Sequence, residues 1–374
     1  MQFTEEQKRW RRSVQQFASD AVAPAVELME REERFPSELI RQMSELGWMG
    51  IPIPRIYGGM GSDFISYIIA IHELSKVSAA VGVILSVHTS VATLPILQFG
   101  SEDQLQRYVT ALAQGTKLGA FALTEPQAGS DASSIRTTAT RAGVDYVLNG
   151  SKLFITNAGA ADLYVVFAVT DPTVKEKARG ITAFIVERDA PGLSIGPSER
   201  KMGLHGSLTC ELVFDGLTVP VAQRLGQEGE GFAIAMQTLD GGRIGIAAQA
   251  LGIAEAALRL IEERCRPSGR GRLTPEAAEQ AELTAAFEAA RLLVYRAAYM
   301  RGEGIPCTKE SSMAKLAASD TAVRLAGAAV RLYGTEGCLP GSPAERLFRD
   351  AKVTQIYEGT NEIHRIVISG KLLQ

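Results

Sequence analysis

The chain has 374 residues, 46% hydrophobic and 22% charged, the proportions of an ordinary globular protein and not of a disordered one. Its length exceeds what a single hydrophobic core usually serves, so two or three domains are expected. The 39 basic and 42 acidic residues give a net charge of −3 with no long block of one sign, so nothing in that balance argues for nucleic acid or an anionic membrane surface as partner.

From Thr4 to about Gly115 the apolar residues recur at helical spacing. Thr4 and Gln7 have the spacing of a capping box, and Trp10, Val14, Phe17 and Ala21 follow on one face. A second helix is expected between Pro36 and Gly47, a proline at the start and a glycine at the end. The run from Asp63 to about Gln98 is apolar and unbroken until Pro95, which predicts buried helices. From about Lys117 to Pro220, short β-rich runs (KLGAFAL, DYVLNG, KLFIT, LYVVFAV, ITAFIV, CELVFDGLTV) alternate with turn residues, the pattern of a small antiparallel sheet domain or barrel. The helical period returns near Gly229 in long segments that suit a bundle, the first two joined by the breaker-rich linker CRPSGRGRLTP. The expected fold is α+β: a helical domain over residues 1–116, a middle antiparallel β-domain over 117–226, and a C-terminal four-helix-bundle domain over 227–374.

Cys210, Cys265, Cys307 and Cys338 are far apart and form no CxxC pair, which fits neither the common zinc spacings nor a disulfide framework. The N-terminal run MQFTEEQKRW lacks the apolar core of a signal peptide, and no stretch of about 18 apolar residues predicts a membrane span. A cytoplasmic protein is expected. His72, His88, His205 and His364 are scattered, and no metal site is expected.

Four clusters have the composition of a site. FALTEPQAGSD (121–131) ends an apolar run in hydroxyls and a glycine, able to offer donors to a polar ligand, although a plain turn has the same composition. In KLFITNAG (152–159), strand alternation puts Phe154 and Thr156 on one face, as a cover and an edge partner for a flat heterocycle or simply as sheet core. In LDGGRIG (239–245), Asp240 and Arg243 are helix neighbours, either a surface ion pair or a ligand contact. Glycines inside a helix each cost roughly 1 kcal/mol relative to alanine, which close approach of another group would explain. In QIYEGTNEIHR (355–365), Glu358 stands where one helix ends and another begins, placed either to enter a cavity or to meet a helix dipole.

Together these clusters, with VHTSVATLPILQFGSEDQ, MQTLDGGRIGIAAQALGIA, MAKLAAS and RDAKVTQIYEGTNEIHRIVIS, resemble the acyl-CoA dehydrogenase family in its order and over nearly the whole chain, the short-chain, butyryl type most of all. The resemblance implies FAD as cofactor and an acyl-CoA thioester as substrate. It implies that Phe121, Leu123, Thr124, Phe154 and Thr156 hold the flavin ring, and that Ser130 lies near both the FAD pyrophosphate and the acyl-CoA. It further implies that Thr360 and Glu362 contact the cofactor, and that Asp240, Arg243, Tyr357 and Gly359 meet the substrate. Glu358 matches the base that removes the α-proton, while the alternative base position of the isovaleryl-type branch is Gly242 here. The backbone N–H of the base and a ribityl hydroxyl would bind the thioester carbonyl, and hydride would pass from the β-carbon to flavin N5. An electron-transferring flavoprotein as acceptor and a homotetramer or homodimer are likewise implied. A thioester on a carrier protein, or a catalytically silent thioester-binding relative, are the other readings.

The chain departs from the family where the ADP half of FAD is clamped. Ser268 and Gly271 fall where an arginine and a phenylalanine are usual, Glu279 replaces a glutamine, and a Gln-x-x-Gly-Gly run reads Arg331 to Thr335. The expectation is a rebuilt ADP sub-site in which Arg331 and Thr335, with Arg270 or Arg272, hold the phosphates; the same arginines read equally well as solvated charges.

Overall fold

The computed structural model describes residues 2–265 and 275–373, so Ser268, Arg270, Gly271 and Arg272 lie outside the described residues. Helix α1 (Glu5–Phe17) starts at the Thr4/Gln7 capping box. Its Trp10 and Phe17 rings pack edge-on against Trp48. After one wide turn (Ala18–Val22) come α2 (Ala23–Glu32) and α3 (Ser37–Glu45), the latter ended by Gly47 at φ 77°. Helix α4 (Phe64–Ser75) is capped by Asp63 and buried on every side.

Helix α5 (Ala79–Phe99) follows. It widens into π-type turns over Val87–Thr93, directly before Pro95, where an ordinary helix would need the N–H that proline lacks. Helix α6 (Gly231–Arg264) is the long axis of the C-terminal part. Both α5 and α6 are long and apolar enough to cross a bilayer by length and composition alone. However, 89% and 78% of their most apolar windows are buried inside the protein, so they serve as core helices. Helices α7 (Pro275–Gly302), α8 (Thr308–Tyr333), α9 (Pro343–Val353) and α10 (Asn361–Leu372) pack around α6 and one another.

Between the helical parts lie β1 (Gly119–Ala122), β2 (Thr138–Ala142), β3 (Asp145–Thr156), β4 (Leu163–Val169), β5 (Ile181–Glu187), β6 (Leu193–Ser198), β7 (Thr209–Pro220) and β8 (Arg224–Leu225). They pair in the order β6-β7-β3-β2-β4-β5-β8, with β1 beside β4. The sheet is mixed, not purely antiparallel: β1 and the first residue of β2 pair with β4 in parallel. Parallel neighbours need a long crossover, which the loop after β1 and the β2–β3 hairpin supply.

Strand alternation explains how the sheet joins the rest. On β4, Leu163, Val165 and Phe167 enter the core shared with the helices, while Tyr164, Val166 and Ala168 enter a second core on the far face. Polar bonds pin the join. Asn157 Nδ2 donates to the carbonyls of Ile84 (3.2 Å) and Gly119 (3.3 Å). His88, buried on α5, accepts from the Gly119 N–H at 3.1 Å and bonds the Leu112 carbonyl at 3.1 Å. Burial holds its pKa down at about 4, in keeping with a neutral ring.

Candidate active site

A cavity of about 250 Å³ opens where the ends of β1 and β3, the π-type turn of α5, the first half of α6 and residues 357–359 converge. Pockets for whole drug-sized ligands run from roughly 300 Å³ upward, so this one takes a ring system or a short chain with the remainder outside.

The sheet wall is organised by a buried ion pair. Lys152, fully buried on β3, donates to Glu125 Oε1 at 2.7 Å and to the Leu123 carbonyl at 3.1 Å. Glu125 also accepts from the N–H groups of Arg136 (2.6 Å) and Thr137 (3.0 Å), which closes the loop from Glu125 to Thr137 into one shape. Burial opposes its ionisation, but Lys152 and these bonds outweigh that and hold its carboxyl at about 2. The loop sets Thr124 in the cavity wall and leaves Gly129 and Ser130 exposed at its rim. A Cβ at Gly129 would meet no atom within 4 Å, so the space above it is open to a ligand.

Beside the loop, β3 breaks its alternation. The register shifts between Lys152 and Ile155, and Phe154 takes φ 57°. This bulge turns the Phe154 ring out, 60% exposed and lining the cavity, with Thr156 beside it. Both side chains share the face that strand alternation predicts, but they reach it through a strained residue that no sequence pattern announces.

The helix wall carries the base candidate. The chain leaves α9 at Val353 and re-enters a helix at Asn361, with Thr360 as cap accepting from the Ile363 N–H. Between them Glu358 (φ 52°) and Gly359 (φ 98°) are both left-handed. Both Glu358 carboxylate oxygens are shut off from solvent and have no hydrogen-bond partner among the described residues. Burial raises its pKa to about 7 against the pull of Arg243 and Lys315. Gly242 on α6 makes room for it, since a Cβ there would collide with Glu358 Oε2 and lie 2.8 Å from Val91 Cγ1. Arg243 is buried and pairs with Asp240 at 3.0 Å, which removes the surface-pair reading, and its Nε is buried without a partner among the described residues. Tyr357 bonds Gln249, which donates to the Ala79 carbonyl at 2.8 Å.

Of the residues singled out from sequence, Phe121, Leu123, Thr124, Ser130, Phe154, Thr156, Arg243, Tyr357, Glu358 and Gly359 line this cavity. Asp240 stands behind Arg243 with its other oxygen taken by Thr308 at 2.6 Å. Thr360 is occupied in capping, and Glu362 is exposed on the first turn of α10. Arg331 and Thr335 lie outside the cavity; Arg331 pairs on the surface with Glu279, so two of the residues that depart from the family pattern meet each other. Sequence reading missed Val87, Val91, Phe232, Met236 and Ile246, apolar wall residues with no local signature.

The residues present fit a flavin. An exposed aromatic ring, two threonines and an open glycine line one side, and a carboxylate and a guanidinium nitrogen without partners face the other.

The chain matches the acyl-CoA dehydrogenase N-terminal domain over residues 4–116, the middle domain over 120–217 and the C-terminal domain over 229–373. An acyl-CoA dehydrogenase of Bacillus subtilis (strain 168) is 56% identical over 380 residues, covering 100% of this chain and 99% of that one. The butyryl-CoA dehydrogenase structure from Megasphaera elsdenii superposes with a TM-score of 0.96 at 45% identity, covering 100% of both chains. A chain from the structure of the electron transferring flavoprotein of Acidaminococcus fermentans superposes with a TM-score of 0.96 at 47% identity, covering 100% of this chain and 99% of that one. With all three domains matched in order over this fold and cavity, the chain belongs to the acyl-CoA dehydrogenase family and is an oxidoreductase.

Proposed function

We propose that the protein catalyses α,β-dehydrogenation of a short-chain acyl-CoA to the trans-2-enoyl-CoA, with Glu358 as the base. The observation that carries this is the Glu358 carboxylate: dry, unpartnered, drawn to about 7, and lining the same cavity as Phe154 and Thr156. A carboxylate with ordinary acidity is a weak base, and one poised near the working pH is effective. Glu358 takes the α-proton, while its backbone N–H, which donates to no backbone carbonyl among the described residues, is free to stabilise charge on the thioester oxygen. Val87, Val91, Leu239 and Tyr357 line the cavity and keep water from the carboxylate. Phe121, Leu123, Thr124, Phe154 and Thr156 would hold the flavin ring, with Ser130 toward the pyrophosphate. When bound there, FAD supplies acceptance of the β-hydride.

The butyryl-CoA dehydrogenase relative supports a short straight chain as substrate, and the Acidaminococcus match supports an electron-transferring flavoprotein as acceptor. A homo-oligomer completes the proposal. Anaerobic addition of butyryl-CoA to the FAD-loaded protein is expected to bleach the flavin absorbance. In Glu358→Gln the rate should fall by roughly 10²- to 10⁴-fold with flavin still bound. Bleaching of Glu358→Gln at the native rate would remove the base assignment, and a flavin that no acyl-CoA bleaches would remove the substrate.

A further inference from the structure

The MAKLAAS run has no part in the chemistry above, yet its lysine bonds the backbone carbonyl of the residue next to the base. Lys315 on α8 is fully buried. Its Nζ donates to the Gly359 carbonyl at 2.8 Å and to Asn361 Oδ1 at 3.0 Å, both neutral acceptors. One turn further on, Ser319 Oγ accepts from Asn361 Nδ2 at 2.9 Å. Asp320 accepts from Asn361 Nδ2 and from Gln355 Nε2, each at 2.7 Å. Helix α8 therefore grips the chain on both sides of Glu358.

The grip has something to hold. Left-handed backbone at a glutamate is unfavourable and persists only where the surroundings impose it. A buried ammonium that meets neutral oxygens is itself costly, and a position serving packing alone would carry an apolar side chain. The charge this ammonium answers is the carboxylate above it. Glu358 faces Arg243 from α6, Lys315 from α8 and the Tyr67 hydroxyl from α4, with Tyr357 as its chain neighbour. Lys315 faces Glu358, Arg243, Asp320, Glu362 and His364. Burial draws Lys315 down to about 7, with Glu358 resisting.

We propose that Lys315 is the positioning residue of the base: by holding the Gly359 carbonyl it fixes the Glu358–Gly359 backbone, and with it the aim of the carboxylate and of the Glu358 N–H. This rests on Glu358 being the base. Without Lys315 the carboxylate loses one of the two cations that favour its charged form, and the loop is free to relax.

The test is stopped-flow reduction of the FAD-loaded protein by butyryl-CoA between about pH 6 and 9, in Lys315→Met, Lys315→Arg and Glu358→Gln. Lys315→Met should keep its flavin and its KM within about twofold, reduce at least tenfold more slowly near pH 7, and move the acidic limb of the rate profile up by about one unit. Lys315→Arg, which keeps the cation, should leave the limb in place. A native rate and limb in Lys315→Met overturn the proposal. So does a loss of rate that tracks lost thermal stability while the limb stays put, because that is packing alone. If Lys315→Met does not hold flavin, Asn361→Ala, which removes one acceptor and keeps the lysine, must lower kcat at constant KM, and an unchanged kcat overturns the proposal. Native reduction by Glu358→Gln would instead overturn the base assignment.

Discussion

Beneath the sheet wall of the cavity, Glu125 accepts from Lys152, Gln127 and two backbone N–H groups. On the helix wall, Glu358 accepts no hydrogen bond among the described residues. Burial pushes both carboxyls toward the neutral acid, and the outcomes diverge to about 2 and about 7. The difference lies in the partners: satisfied from all sides, a buried carboxylate becomes framework; left alone in a dry wall, it is drawn toward neutral pH.

Exchanging the framework carboxylate is the strongest way to sharpen that contrast. Glu125→Gln leaves the Lys152 ammonium buried without its counter-charge, and unfolding free energy in denaturant should fall by about 3–5 kcal/mol. Lys152, which burial already draws down to about 8, sheds its proton more readily in that variant, so the loss should grow as pH falls. The rate per bound flavin in the folded fraction should change far less than in Glu358→Gln. A stability loss under about 1 kcal/mol would erase the contrast from the Glu125 side.

Gly242→Ala tests the other wall. The new Cβ takes the space of Glu358 Oε2. Flavin reduction should slow by about 10- to 100-fold with flavin affinity unchanged, because misplacing a reacting group by about 1 Å has that effect. A native rate would mean that the carboxylate acts from another position.

The smallest expected effect is on pH dependence. The kcat/KM for reduction should fall about tenfold per unit as pH drops below about 7, where Glu358 gains its proton. The same raised value means that the folded chain keeps this proton above the ordinary 4.5. Its contribution to stability is therefore complete below that pH and is lost as pH rises through about 7, a decline that Glu358→Gln should lack. Equal pH slopes of stability in the two chains would show that Glu358 titrates as an ordinary carboxyl.

Much of this was legible in the sequence, and the rest was hidden for physical reasons. Periodicity separates the three blocks because burial on a helix stripe and on a strand face write different repeats, and the Thr4/Gln7 cap is a local signal. The parallel partners of β4 depend on contacts between β1 and β4, distant in the chain, that no local pattern encodes. The site motifs announce Phe154, Thr156 and Glu358, but the bulge at Phe154 is set by the pairing of β3 with β7. Lys152 and Lys315 look like ordinary charges in the sequence, and burial shows only once the chain is folded. The one available hint was a lysine between apolar neighbours in MAKLAAS and a lysine heading the apolar run of KLFIT.

Gly242 and Glu358 compete for one volume although 116 residues of chain separate them (358 − 242). The cavity therefore has one seat for a carboxylate, reachable from α6 or from the loop before α10. Drift at either position is conditional on the other, so the two should covary as a pair. A chain moving its carboxylate from one position to the other must pass through a crowded seat or an empty one. That ties the place of the carboxylate to the residue opposite it on the other helix.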